Sequence, residues 1–207
     1  MKTTVVQHPL VAERLTRLRD QSTPSHRFRA DLDDLASFLI YEATRSLATR
    51  AVRVRTPLAE TDGVVLDGGP LIVPVLRAGL GMLAAAQRLL PHAPVGFIGV
   101  RRNETTLLPA AYMSTVPADL EGQPVLVLDP MLATGGSLVY TCEQLLEHHA
   151  GPMTVVCVLA APEGLRHVEE AGFDLEVVTA TVDERLNDVG FIHPGLGDAG
   201  DRQFGIS

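Results

Sequence analysis

The fold of this chain is decided by one continuous stretch, Val125-Leu126-Val127-Leu128-Asp129-Pro130-Met131-Leu132-Ala133-Thr134-Gly135-Gly136-Ser137. Its four leading apolar residues predict a strand buried on both faces of a parallel sheet. An acid follows the strand, and a short loop ending in Thr-Gly-Gly-Ser then leads into a helical pattern. Backbone N–H groups converge at such a turn, and the helix dipole favours negative charge. Asp129 suits sugar hydroxyls or a metal-bound water, so we expect this stretch to bind a phosphorylated sugar.

The rest of the chain alternates between helical and strand patterns. Two amphipathic helices are predicted first, one after His8-Pro9 that ends near residue 23 and one over 31–50. Strands are predicted over 71–76, 95–100, 125–128, 153–160 and 175–180, and helices over 81–90, over 136–149 and from 162. Residues 110–116 are expected to form the second arm of a β-hairpin, and 52–55 an edge strand. This alternation predicts an α/β fold, with an N-terminal helical segment and a mainly parallel central sheet flanked by helices.

Composition limits both the size of the fold and the class of partner. With 207 residues and 46% hydrophobic content, the chain suits a single domain, 1–207, with a sizeable core. A formal net charge of −8 argues against binding to nucleic acid, which needs a basic face. No apolar stretch approaches the roughly 20 residues that span a membrane, so a membrane is not an expected partner either. Cys142 and Cys157 lie in apolar runs without metal-ligand spacing, which indicates reduced core thiols in a cytoplasmic protein.

Charged side chains come directly after several of the predicted strands. Arg77 follows one strand and Arg101 and Arg102 follow the next, as Asp129 follows the central one. Ligands of parallel sheets bind beyond the carboxyl ends of the strands, so these side chains should meet at one edge. The planar fork of arginine suits phosphate oxygens, which makes Arg77 and Arg102 candidates for binding an anion. For Arg101 an alternative to anion binding stays open, namely that it is only a solvated side chain beside Arg102.

The central stretch resembles the phosphoribosyl pyrophosphate (PRPP) signature of type I phosphoribosyltransferases. Many members of that class carry two adjacent acids where this chain has Asp129-Pro130, which is the form found in the uracil phosphoribosyltransferase family. Five other stretches are similar to the same family: Tyr41-Glu42-Ala43-Thr44-Arg45, Val75-Leu76-Arg77-Ala78-Gly79-Leu80-Gly81-Met82, Arg102-Asn103-Glu104-Thr105-Thr106-Leu107, Ala161-Pro162-Glu163-Gly164 and Pro194-Gly195-Leu196-Gly197-Asp198-Ala199-Gly200-Asp201-Arg202. The resemblance covers nearly the whole chain. It implies a type I phosphoribosyltransferase fold with a β-hairpin flap over the site and a small C-terminal hood over about 181–207.

Each part of PRPP needs its own partner in the chain. The N–H groups of 133–137 fit the 5′-phosphate, Asp129 can accept from a ribose hydroxyl, and the leaving pyrophosphate needs cations. The resemblance implies PRPP contacts from Arg77, Ala78, Gly79, Arg102, Asp129, Pro130, Met131, Leu132, Ala133, Thr134, Gly135, Gly136, Ser137 and Asp198. Asp129, Arg102 and Asp198 are the catalytic candidates. The resemblance also implies Mg²⁺, carried by PRPP and by waters near Asp198 without direct protein ligands.

The glycine-rich tail is the candidate reader of the base. By resemblance, uracil binds to backbone groups of Ile192, Gly197 and Ala199, with Asp198 close by. A backbone reader rejects cytosine, because the cytosine amino group faces a donor and leaves polar groups unpaired. The apolar residues of the tail are expected to anchor it to the core, namely Phe191, Ile192, Leu196 and Phe204. His193 is expected to be a solvated or packing residue.

The resemblance therefore implies an enzyme that converts uracil and PRPP to UMP and diphosphate in pyrimidine salvage. It further implies a homodimer or homotetramer, with GTP as an allosteric activator in many members. Two alternatives stay open from the sequence. One is a phosphoribosyltransferase for another base, and the other is a PRPP-binding RNA regulator of pyrimidine genes with the same fold.

Overall fold

The computed structural model describes residues 1–102 and 109–205 of the chain. The strands are β1 (Lys2–Val5), β2 (Thr49–Arg55), β3 (Glu60–Leu66), β4 (Leu71–Leu76), β5 (Ile98–Arg102), β6 (Pro109–Ser114), β7 (Val125–Leu128), β8 (Met131–Leu132), β9 (Met153–Ala160), β10 (Leu175–Val182), β11 (Arg185–Leu186) and β12 (Ile192–His193). The helices are α1 (Pro9–Arg19), α2 (Ser25–Ala43), α3 (Leu80–Leu89), α4 (Gly136–Glu147), α5 (Pro162–Glu170) and α6 (Ala199–Phe204).

One large sheet organises the described residues. Its strand order is β1-β10-β9-β7-β4-β5-β6, with β8 also paired to β9. All neighbouring pairs are parallel except β5 and β6, which form an antiparallel hairpin. The central strands β4 and β7 pair with Val73 opposite Val127, and all four residues of β7 are buried. The predicted α/β fold with a mainly parallel sheet is therefore confirmed.

Apolar helix faces cover the two sides of this sheet. One core cluster joins α1, α2 and α3 to the sheet through residues such as Leu18, Leu35 and Met82. The other joins α4 and α5 through residues such as Leu138 and Val168. Cys142 and Cys157 are buried and unbridged, as expected of core thiols. Among the helices described, none combines the length and the apolar character that crossing a bilayer requires.

The predictions for the N-terminal half need correction. The chain does not open with helices alone, because β1 pairs in parallel with β10 at the edge of the main sheet. The second helix was expected over 31–50, but α2 begins at Ser25 and ends at Ala43. Residues 52–55 belong to β2, which pairs with β3 in a separate two-stranded hairpin and not at an edge of the main sheet.

The two regions expected to cover the site have distinct structures. The hairpin predicted to act as a flap exists as β5 and β6, while residues 103–108 at its tip, with most of the 102–107 motif, lie outside the described residues. The tail showed no periodicity in the sequence, yet it contains the β11–β12 hairpin and α6. We call residues 181–205 the hood.

Candidate functional site

A cavity of about 680 Å³ opens at the carboxyl edge of the sheet. The ends of β4 and β7, the β5–β6 hairpin and the hood all contribute to its walls. Residues that line it include Arg77, Ala78, Arg101, Tyr112, Asp129, Met131, Ser137, Asp198 and Gly200. The structure thus brings together residues that lie up to 125 positions apart, from Val75 to Gly200. For Arg77, Arg101 and Asp129 this agrees with the expected convergence of charged side chains at one sheet edge, while the side chain of Arg102 lies outside the described part of the chain.

The loop between β8 and α4 forms a small anion cradle beside this cavity. Gly135 caps α4 in the left-handed conformation, with a φ of 82°, which a glycine adopts without strain. Leu132, Ala133, Thr134, Gly135 and Ser137 all line a recess of about 100 Å³. A helix of 12 residues begins at Gly136, so its dipole and free N–H groups point at this recess.

Helix α5 supports the cradle from behind. A Cβ at Gly164 would overlap the carbonyl oxygen of Ala133 and lie 3.0 Å from that of Leu132. His167 Nδ1 lies 2.8 Å from the carbonyl oxygen of Thr134. Because a carbonyl oxygen only accepts, the Nδ1 of His167 carries the hydrogen in this contact. The loop conformation is therefore fixed by close backbone packing on one helix.

Asp129 is the partly buried acid at the end of β7. Its Oδ1 accepts a hydrogen bond of 3.3 Å from the Met131 N–H, and its own N–H donates to Val156 O. Burial raises the pKa of Asp129 to about 6. Burial also raises the pKa of Cys157 to about 12, and the nearby Asp129 charge adds to that rise. The Cys157 thiol is therefore neutral near pH 7 and is not a nucleophile.

The turn after β4 brings Arg77 to the cavity. The Leu76–Arg77 peptide bond is cis, and Arg77 Nη2 lies 3.3 Å from Asp201 Oδ1 in the hood. A Cβ at Gly79 would overlap the Leu128 carbonyl oxygen and lie 2.7 Å from the Val75 nitrogen. The turn therefore packs against the strand that carries Asp129, beneath the cavity.

A second recess of about 270 Å³ lies between the hood and the loop that forms the anion cradle. It shares Ala78, Met131, Asp198 and Gly200 with the larger cavity, so the two are continuous. Its other walls come from Ala133, Gly190, Phe191, Ile192, Gly197 and Ala199. Much of the wall supplied by the hood is backbone, because four of the seven hood residues that line the recess are glycine or alanine, namely Gly190, Gly197, Ala199 and Gly200.

The remaining predicted site residues lie around these cavities. Pro130 is buried, and its carbonyl accepts from the N–H groups of Val158 and Leu159. Arg102 ends β5 at the same sheet edge, and only its backbone is described. Arg101 is exposed and lines the large cavity. His193 is exposed, next to a cis bond to Pro194.

The anchors of the hood differ from those expected. Ile192 and Leu196 are buried, but Phe191 and Phe204 are 46% and 41% exposed, so the two phenylalanines are not anchors. Polar side chains hold the hood instead, above all Arg19 and Asp183, which reasoning from the sequence did not single out. Asp183 follows β10 directly, as Asp129 follows β7, and that position was the available signal.

The oxygen donors of the cavity suit Mg²⁺ bound mainly by substrate and water. Asp129 and Asp198 both line the cavity, and hard cations prefer such carboxylates. Within residues 1–102 and 109–205, no three His, Cys, Asp or Glu side chains group so as to hold a metal ion. Mg²⁺ usually keeps several waters and binds through one or two carboxylates plus phosphates, which fits this donor set.

Comparison with known proteins places the chain beside one family. A family model described as "Uracil phosphoribosyltransferase" matches residues 5–206. The chain is 54% identical to a uracil phosphoribosyltransferase of Streptomyces coelicolor, and 53% identical to one of Kineococcus radiotolerans, over 100% of both partners in each case. Among solved structures, it is similar to the AQ2163 protein of Aquifex aeolicus, with a TM-score of 0.92 and 40% identity over 99% of each chain.

Proposed function

This chain belongs to the uracil phosphoribosyltransferase family, and from that premise we propose that it converts uracil and PRPP to UMP and diphosphate in pyrimidine salvage. The observation that carries the proposal is the continuity of an anion cradle, a carboxylate and a backbone-walled recess along one sheet edge. PRPP has a phosphate at one end and its reactive carbon in the middle. We infer that PRPP spans the cradle and the large cavity, and that uracil fills the recess under the hood.

The cradle fits the 5′-phosphate of PRPP. Leu132, Ala133, Thr134, Gly135 and Ser137 line the recess at the start of α4. We infer that N–H groups of residues 133–137 bind the phosphate there, since a helix N-terminus favours an anion, and that the hydroxyls of Thr134 and Ser137 add donors. Asp129 then lies on the way to the larger cavity, where its carboxylate can accept from a ribose hydroxyl. The diphosphate extends toward Arg77 and Arg102. Asp129 and Asp198 are the residues that would hold Mg²⁺ through water, and the ion would supply further positive charge against the departing group.

The reaction is a displacement at the anomeric carbon of the ribose. The bond to N1 of uracil forms, the bond to the diphosphate oxygen breaks, and the N1 proton is lost. The transition state gains negative charge on the diphosphate, so cations held beside it lower the barrier. We expect the hood and the β5–β6 hairpin to exclude water, which would otherwise hydrolyse PRPP. Residues 1–207 thus act as one domain, with the hood as its base-reading part.

Uracil recognition rests on the hood backbone. Ile192, Gly197 and Ala199 place peptide groups at the recess, where a neutral planar base needs fixed donors and acceptors. One oxygen of Asp198 accepts from the Asp201 N–H at 2.8 Å, and the residue also lines both cavities. Asp198 therefore ties the hood conformation to the place where ribose and base meet.

An assay with a panel of bases tests the proposed function. Purified protein is incubated with Mg²⁺, PRPP and either uracil, cytosine, hypoxanthine or orotate, and the nucleotide product is identified by mass. We expect UMP from uracil, with at least about 10⁴-fold lower efficiency for cytosine. A preference for another base, or RNA-leader binding in a gel shift without UMP formation, would overturn the proposal.

Arg77 and Arg102 are expected to contribute to the binding of PRPP and not to the binding of uracil. Arg77→Ala and Arg102→Ala should each raise the Michaelis constant for PRPP about tenfold, because a charge-assisted hydrogen bond to the diphosphate is lost. Arg45→Ala is a matched control, since Arg45 is exposed and paired with Glu42 at the end of α2. A selective rise in the Michaelis constant for uracil would contradict the assignment.

We also propose a homodimer or homotetramer, with the β2–β3 hairpin in the interface. Leu58 at its tip is 97% exposed and Val64 is 70% exposed. A largely apolar groove of about 660 Å³ lies at the hairpin base, lined in part by Val65, Leu66 and Leu90. A second copy of the chain would cover such a surface.

A charge placed on the hairpin tests this surface. Leu58→Asp should lower the mass measured by sedimentation, whereas Leu10→Asp, at an exposed leucine of α1, should leave it unchanged. An unchanged mass for Leu58→Asp would exclude the hairpin from the interface. Titration with GTP during the same measurement, with turnover followed in parallel, tests the proposed allosteric activation.

A further inference from the structure

Asp183 is a buried acid outside the cavities described above. It follows β10 directly, and its side chain is only 4% exposed. Its two carboxylate oxygens accept from the guanidinium of Arg19, with Nη2 to Oδ1 at 2.5 Å and Nη1 to Oδ2 at 2.9 Å. Arg19 is the last residue of α1, so this pair joins the N-terminal helix to the end of the sheet. Two-pronged pairs of this kind are geometrically specific.

Both members of the pair also hold Gly195. The Gly195 N–H donates to Asp183 Oδ2 at 2.9 Å, and Arg19 Nη1 donates to the Gly195 carbonyl at 2.8 Å. Both peptide groups of this residue are therefore occupied. Gly195 has a φ of 63°, and a Cβ there would overlap the carbonyl oxygen of Ile192. Gly195 lies between Ile192 and Gly197, whose backbone we assign to the base.

The same end of α1 holds the next turn of the hood. The guanidinium of Arg202 donates to the carbonyls of Leu18, of Asp20 at 2.6 Å and of Leu196 at 2.8 Å. It also stacks 4.4 Å over the ring of Phe28. The last carbonyls of a helix have no partner within the helix, so the hood satisfies them. The hood segment that we assign to base recognition is thus hydrogen-bonded to the C-terminal end of α1.

We propose that Asp183 and Arg19 are positioning residues that fix the hood backbone in the register that reads uracil. This inference rests on the proposed function. A buried ion pair contributes little net stability once desolvation is counted, whereas its directional hydrogen bonds specify one arrangement. Both residues bind the backbone of Gly195, and neither is among the described residues that line the large cavity or the recess under the hood. They therefore act on base binding through the loop.

Asp183→Asn is expected to raise the Michaelis constant for uracil about tenfold at saturating PRPP, with that for PRPP within about twofold. An asparagine oxygen in the place of Oδ2 can still accept from Arg19 Nη1 and the Gly195 N–H, but its NH2 group then faces the donor Nη2 of Arg19 in the place of Oδ1. The two donors repel and the negative charge of the pair is lost, so the arrangement that holds Gly195 is weakened. Hydrogen exchange at the Gly195 amide, followed by NMR, should become at least about tenfold faster. Arg19→Gln should match Asp183→Asn, and Arg19→Lys, which keeps the charge, should restore part of the affinity.

Asp31→Asn is the matched control, since Asp31 of α2 also pairs with an arginine of α1. Asp31 is 1% exposed and pairs with Arg17 of α1 at 2.7 Å, so the change also breaks a buried pair between α1 and a neighbouring element. It should leave the Michaelis constant for uracil and the Gly195 exchange rate at wild-type values, whatever it does to thermal stability.

Several outcomes would overturn the inference. If Asp183→Asn and Asp31→Asn change the Michaelis constant for uracil equally, the pair of Asp183 and Arg19 has only a structural role. The same holds if the exchange rate of the Gly195 amide is unchanged in Asp183→Asn. If Asp183→Asn does not fold, Arg19→Gln and Arg19→Lys decide the matter by the same two readouts. If the wild-type protein makes no UMP, the proposed function fails on its own. The exchange data at Gly195 then still show whether the pair fixes the loop.

Discussion

Asp129→Asn is expected to lower kcat by about 10²–10³-fold and to make the folded protein more stable. In the proposed reaction the carboxylate accepts from the ribose as positive charge grows on the sugar ring, so its charge would contribute more in the transition state than in the ground state. Asparagine keeps the shape and loses that charge. Because Asp129 lines both the large cavity and the cradle, the loss falls on the reacting part of PRPP.

The gain in stability follows from the raised pKa of Asp129. Burial moves this pKa from 3.8 to about 6, so between about pH 4 and pH 6 the folded state binds more protons than the unfolded state. Unfolding releases a proton in that window, and the free energy of unfolding therefore falls as the pH rises through it. Above pH 6 the ionised carboxylate costs the folded state on the order of 2–3 kcal/mol. Asparagine removes that cost.

Thermal unfolding at two pH values checks the predicted gain in stability of Asp129→Asn. At pH 7.5 the melting temperature of Asp129→Asn should exceed that of the wild type by several degrees, at roughly 2–4 °C per kcal/mol for a chain of this size. At pH 4 most of the difference should have vanished, because the wild-type carboxyl is then protonated in the folded state and roughly half protonated in the unfolded state. Asp174→Asn, at an exposed acid before β10, should change neither quantity. A wild-type kcat in Asp129→Asn would refute the role of the carboxylate.

The anion cradle was predictable because all of its parts are contiguous in the chain. An apolar strand, an acid, paired glycines and a helix start appear in one run, and each has a local physical meaning. The buried strands β4, β7 and β9 were predictable for the same reason. Their apolar runs match strands covered on both faces.

Features that depend on distant partners escaped prediction. β1 is four residues long and largely exposed, so no apolar pattern marks it, and its partner in β10 lies more than 170 positions away. Likewise, Arg19 and Asp183 are 164 positions apart, and nothing near either residue in the sequence indicates the other. The polar segment that became β3 pairs with β2 outside the main sheet, where the two-residue period of a half-buried strand is not required.

The hood illustrates a second limit. Its residues are mostly small, and its conformation depends on backbone hydrogen bonds to side chains elsewhere in the chain, such as Arg202 to Leu196. The glycine-rich composition indicated free peptide groups there, and the family resemblance implied that they read the base. It did not indicate that Ile192 and Leu196 would be buried while Phe191 and Phe204 stay at the surface.

Gly164→Ala should lower kcat/KM for PRPP by about 100-fold, although Gly164 touches no substrate in our assignment. Alanine is normally favoured over glycine inside a helix by about 1 kcal/mol, so the substitution would stabilise α5 taken alone. Here, however, the new Cβ would overlap the Ala133 carbonyl oxygen and crowd that of Leu132. One side must move. The loop is the part that gives way, because α5 is tied to the sheet through buried Val168.

A shift of the cradle by about 1 Å misaligns the 5′-phosphate and, through it, the anomeric carbon, for which a loss near 100-fold is typical. The effect should fall on PRPP, so the Michaelis constant for uracil at saturating PRPP should stay within about threefold. Steady-state kinetics with each substrate varied separately measures both. Arg166→Ala is the control in the same helix, because Arg166 is exposed and its truncation adds no atom near the loop. If Gly164→Ala binds PRPP like the wild type, the cradle tolerates displacement, and its rigidity cannot be what positions the sugar for reaction.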